Sequence, residues 1–149
     1  MAADPSKITN TKKLQQLMSN AEERGETTLA RMCMRRIYEL GGADHADPVV
    51  KRLWQAVTAY EETLRRKHGK SQRASYTRRK IEAKGAIATL SDWALDQKVT
   101  PGFEALVSAG MAEFTGEYVV VEHAERFEPH VVLAARKRLE NHGVALPKT

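Results

Sequence analysis

Thr115-Gly116-Glu117-Tyr118-Val119-Val120-Val121-Glu122-His123 is the stretch whose reading decides the fold. Three consecutive valines favour a strand by propensity. Every other segment of the chain reads as amphipathic helix, loop or tail, so a strand here would have no partner. A lone strand cannot satisfy its backbone hydrogen bonds. Residues 116–126 are therefore expected to be helical, with a short strand at 117–122 as the alternative, and Phe127 is expected to pack back into the core. The resulting class is all-α, a compact domain of seven or eight helices.

Working back toward the N-terminus, Thr100-Pro101 and Asp47-Pro48 both place a capping side chain ahead of a proline at the first helical position. The first starts a short helix with Phe103, Leu106 and Val107 inside, ended by Gly110. The second starts the longest helix, from Pro48 to about His68, with Val50, Leu53, Trp54, Val57, Tyr60 (or Glu61) and Leu64 as its stripe. Ahead of it, Leu14, Leu17, Met18 and Ala21 mark one amphipathic helix. Leu29, Met32, Cys33, Ile37 and Leu40 mark a second. The short link at Gly25 makes the pair an antiparallel hairpin. Glu128-Pro129 opens the last helix, which buries Val131, Val132, Ala135 and Leu139. Trp54, Trp93, Phe103 and Phe127 are the expected aromatic core. The organisation predicted is a disordered arm at 1–8, a helical hairpin at 9–42, a helical core at 43–143 and a frayed tail at 144–149.

Composition bounds the function. The 149 residues are 42% apolar and 29% charged, which fits an ordinary soluble globular domain. Cys33 is the only cysteine, so neither an intramolecular disulfide nor a multi-thiolate metal site can form. The N-terminal residues lack the apolar stretch of a secretory signal, and no apolar run reaches membrane-spanning length. A cytoplasmic or nucleoid-associated location is expected, with no membrane partner.

Charge is concentrated in one place. Residues 65–84 hold nine Lys/Arg and one acid, a net charge of +8, whereas the whole chain is +5. Everything outside the segment therefore sums to −3. A local field of that density suits a polyanion. The segment reads as a helix end, a polar link at 69–74 and the start of a fourth helix capped by Ser75. Arg65, Arg66, Lys67, Lys70, Arg73, Arg78, Arg79, Lys80 and Lys84 can meet phosphates, and Arg73, Arg78 and Arg79 can alternatively reach a guanine edge. Gln72, Ser75 and Thr77 add polar donors, Tyr76 can stack on a base or pack, and a helix N-terminus offers N–H groups. This basic helix-loop-helix resembles a helix-turn-helix only in order, because its link is longer than the usual tight turn. Gly85 falls at a point where the fourth helix either ends or continues.

Other constellations are weak. Glu82-Ala83-Lys84 matches half of a metal-dependent nuclease pattern, but on a helix instead of a strand. Asp44, His45 and Asp47 lie close together, yet Asp47 is already explained as a cap. His123 and His130 are isolated. No catalytic residue, metal ligand or cofactor is assigned. The expected function is nucleic-acid binding, duplex DNA over RNA. One alternative is a protein-interaction or adaptor module, with a protein partner or self-association through residues 9–40. Another is a small DNA-processing enzyme.

Overall fold

The computed structural model describes residues 4–69 and 74–147, and among these it contains helices and no strand. Seven α-helices follow in order: α1 (Thr11–Glu23), α2 (Thr27–Gly41), α3 (Pro48–His68), α4 (Ser75–Leu95), α5 (Pro101–Ser108), α6 (Gly116–Glu122) and α7 (Pro129–Asn141). Three short 3₁₀ turns accompany them. α4 is interrupted at Gly85, where φ is 86° and ψ is 173°, so it forms two helical rods. That backbone region is accessible essentially only to glycine. The fold class expected from the sequence is therefore the one found.

The helix starts follow from capping chemistry. The side chains of Asn10, Thr100 and Thr115 accept from Lys13, Phe103 and Tyr118 N–H groups at 3.1, 3.1 and 3.2 Å. Asp47 accepts from both Val49 and Val50. Thr115 thus turns the decisive stretch into helix α6, in which Val119, Val120 and Val121 are all fully buried. Valine costs a helix only a few tenths of a kcal/mol, whereas burying each side chain returns about 1.5–3 kcal/mol. Burial on every side wins over strand propensity.

α3 is the strut. On one side Val49, Leu53 and Val57 join Leu90, Phe103, Val119, Val131, Ala135 and Leu139 in the main cluster. On another side Ala59 meets Leu14, Ile37, Tyr38, Leu106, Met111 and Phe114, so the N-terminal hairpin shares a core with α5. Because α3 is covered on more than one side, its buried set is broader than the single stripe expected. It includes Val49, Ala56 and Ala59 and leaves Val50, Tyr60 and Leu64 half-buried. α2 runs antiparallel to α3, with Met34 beside Arg66 and Gly41 against Thr58.

Three local expectations change. The arm at 1–8 includes a docked turn: Pro5 is buried, and Arg36 donates to the Ile8 carbonyl at 3.0 Å. Within the tail, Val144 and Leu146 pack against the main cluster, and the Val144 N–H closes α7 on the Leu139 carbonyl. Trp54 and Trp93 are half-buried at the edge of the core, unlike Phe103 and Phe127, which are inside it.

Candidate nucleic-acid interface

The basic segment is shaped by carboxylates that the charge count alone does not place. Arg65 folds back one turn onto Glu62 at 3.0 Å, and Glu62 also accepts from Gln15 of α1. Arg66 reaches Glu22 at the end of α1 and touches the Met34 sulfur. Arg78 grips Glu61 at two points, Nε to Oε2 at 2.8 Å and Nη2 to Oε1 at 2.7 Å. Its guanidinium also lies over the Trp54 ring, 5.2 Å from the centroid, while His45 stacks on the same indole. The Glu61 hydrogen bonds raise the Arg78 pKa further. Lys80 and Lys84 converge on Asp92, at 2.9 and 3.5 Å. The Lys80 hydrogen bond is the main reason the Asp92 carboxyl sits below the ordinary range.

The start of α4 also differs from expectation. Ser75 is the first helical residue and not the cap; Ala74 precedes the helix without a capping side chain. The Ala74 N–H instead donates to Glu61 Oε2 at 2.7 Å. An internal carboxylate thus occupies the anion-accepting end of the helix that the sequence reading assigned to phosphate. α4 begins by running back along α3, pinned at Glu61 and Trp54, so its first turn is not free to project as a recognition helix.

What remains available is smaller than the sequence set. Lys67 and Arg79 are exposed and make no ion pair among the described residues. Arg66 and Lys84 are in exposed pairs. Tyr76 does not pack: it is 74% exposed, the only such aromatic among the described residues. Ser75 is exposed, and Thr77 is half-buried and faces a cavity between α3 and α4. Lys70, Gln72 and Arg73 lie outside the described residues. Arg65, Arg78 and Lys80 are brought to the region but are held by Glu62, Glu61 and Asp92.

The partners that sequence reasoning missed are Glu22, Glu61 and Asp92. Each comes from a distant helix or from across the break in α4, and no local spacing signals them.

The remaining constellations acquire structural roles. Asp47 caps α3 and pairs with Arg126 at 3.2 Å, and these contacts lower its pKa. Cys33 is buried, which pushes its thiol up. Among the described residues, no group of three or more His, Cys, Asp or Glu side chains is placed to hold a metal ion. Among the same residues, no helix is long and apolar enough to cross a membrane. The apolar residues of the hairpin face inward except Met32, which the sequence placed on the apolar face of the second helix. A protein partner on residues 9–40 would meet Met32, 45% exposed, as its one large exposed apolar side chain there among the described residues.

Comparison with known protein families, curated proteins and solved structures finds no match.

Proposed function

We propose that the protein binds nucleic acid, duplex DNA over RNA, through phosphate contacts at the junction of α3 and α4. The observation that carries this reading is that Lys67 at the end of α3, and Tyr76 and Arg79 in the first turns of α4, are all exposed, the two cations without an ion pair among the described residues. Tyr76 and Arg79 are three residues apart on one helix, hence on neighbouring positions of one face. Arg66 and Lys84 extend the set. Their exposed ion pairs are worth about 0–1 kcal/mol each, so a phosphate can exchange for the carboxylate at small cost. Arg65, Arg78 and Lys80 belong to the architecture in this reading.

Such an interface binds backbone and does not read bases, and its expected affinity is that of non-specific association, with Kd about 10⁻⁴ to 10⁻⁶ M. Four phosphate contacts give a slope of about −3.6 for log K against log salt concentration, shallower than the roughly fifth-power dependence expected if six cations of the segment engage. Fluorescence anisotropy of a labelled duplex, titrated with the full chain at several salt concentrations, tests this. Binding that ignores salt, or no binding at low salt, overturns it.

A further inference from the structure

A cavity of about 130 Å³ opens between α3, α4, α5 and the start of α6. It is separate in chemistry from the basic junction. Tyr60, Trp93, Phe103 and Phe114 contribute aromatic walls, Asp96 and Glu117 are the acidic residues of the lining, and no Lys, Arg or His lines it among the described residues. Its shape is built into the chain at two glycines. A Cβ at position 102 would lie 2.2 Å from the Tyr60 ring, and one at position 116 would lie 2.5 Å from the Trp93 ring. Only a missing side chain lets each ring sit where it does.

The volume is that of a one-ring ligand, since a cavity of about 150 Å³ accommodates benzene. The polar groups select the rest. Thr100 and Thr115 are already used as helix caps. Glu117 is held by Arg138, Nη1 to Oε2 at 2.9 Å, and Arg138 itself does not line the cavity. The Asp96 carboxylate accepts one backbone N–H, from Lys98, and makes no ion pair among the described residues; the Arg138 guanidinium meets Asp96 at its backbone carbonyl. A carboxylate only accepts hydrogen bonds, so a ligand group that meets Asp96 has to donate. Aromatic faces attract cations, and the unpaired charge of Asp96 does the same.

We infer that this cavity is a binding site for a small organic ammonium ion, an amine carried on one aromatic ring or a branched alkyl group of similar size. The ring fills the apolar space between Tyr60, Trp93 and Phe103, and the ammonium lies toward Asp96.

The test is an NMR titration of the full-length, ¹⁵N-labelled protein with 2-phenylethylammonium, phenylacetate and 2-phenylethanol. The ammonium should shift the amides around Gly102, Gly116 and the Trp93 indole saturably, with half-saturation below about 1 mM. Phenylacetate should bind at least about tenfold more weakly. Asp96→Asn keeps the acceptor for the Lys98 N–H and should weaken the ammonium about three- to tenfold while leaving the alcohol unchanged. Thr77→Phe, at the half-buried rim, should remove binding of both. Equal binding of phenylacetate, no effect of Asp96→Asn on the ammonium, or no shifts up to about 10 mM would each overturn the assignment.

Discussion

Lys80 and Asp92 stand twelve residues apart in sequence and meet at 2.9 Å. In an uninterrupted helix that separation is about 18 Å along the axis. The contact therefore exists because the chain folds over at Gly85, whose φ of 86° and ψ of 173° no other residue adopts without strain. Nothing lies within 4 Å of a Cβ built there, so the cost of a side chain is one of backbone conformation and not of crowding. Gly85→Ala should lower stability by about 1–3 kcal/mol. Urea denaturation measures the loss. An alanine variant as stable as the parent would mean that the break is not held by the surrounding packing.

Glu61 is the acid on which the start of α4 depends. It takes the Ala74 N–H and both contacts from Arg78. Glu61→Gln keeps the size of the side chain but removes the charge and one acceptor. Charge-assisted hydrogen bonds are the stronger kind, so a loss of about 1–3 kcal/mol is expected by chemical denaturation. Duplex affinity measured on the folded variant at low salt should rise, because Arg78 is released from its carboxylate partner next to the proposed interface. Unchanged affinity would exclude Arg78 as a latent phosphate ligand.

Lys67 and Arg79 should behave in the opposite way. Both are exposed without ion pairs among the described residues, so the double variant Lys67→Glu with Arg79→Glu should stay within about 0.5 kcal/mol of the parent. The salt slope of duplex binding should fall in magnitude by about 1.8, two phosphate contacts' worth. A variant with full affinity and an unchanged slope would remove the proposed interface.

Much of the fold was legible because its signals are local. Asp47 with Pro48, Thr100 with Pro101 and Glu128 with Pro129 mark helix starts by chemistry confined to a few neighbouring residues. The helicity of 116–122 was legible only by elimination, since its own valines point the other way and burial by α3, α4 and α7 decides it. The basic segment was legible as a count of charges and not as a site. Whether Arg78 is a free cation depends on Glu61, seventeen residues earlier on another helix. Whether Lys80 is free depends on the bend at Gly85. Such pairings are set by tertiary packing, and sequence spacing carries no trace of them. The cavity escaped for the same reason: its walls come from four helices, and Gly102 and Gly116 read as ordinary helix-start residues until Tyr60 and Trp93 are placed over them.

The Glu117–Arg138 pair gives the last prediction its sign. Both side chains are nearly buried, at 8% and 12% exposure, and Arg138 also donates to the Trp93 and Asp96 carbonyls. Burial pushes the Glu117 carboxyl above its ordinary range, and the Arg138 hydrogen bond only partly opposes this. A carboxyl whose folded pKa is raised opposes folding at neutral pH, and that opposition fades as pH falls through the folded value. Asp47 and Asp92 go the other way: their folded values are lowered, by Arg126 and Lys80 first, so the stability they add is full above their unfolded values and is lost below about pH 4. Arg138→Met leaves the Glu117 charge buried without its partner and should cost about 3–5 kcal/mol at pH 7. Protonating Glu117 relieves that cost, so the variant's deficit against the parent should shrink as pH falls from 7 to 5, before the aspartates titrate. Adding Glu117→Gln to Arg138→Met should recover part of the loss at pH 7 and abolish the shrinkage. Guanidinium unfolding of the parent, Arg138→Met and the double variant at pH 7, 6 and 5 checks both; a deficit that stays constant across that range would show that the Glu117 charge is not what the arginine offsets.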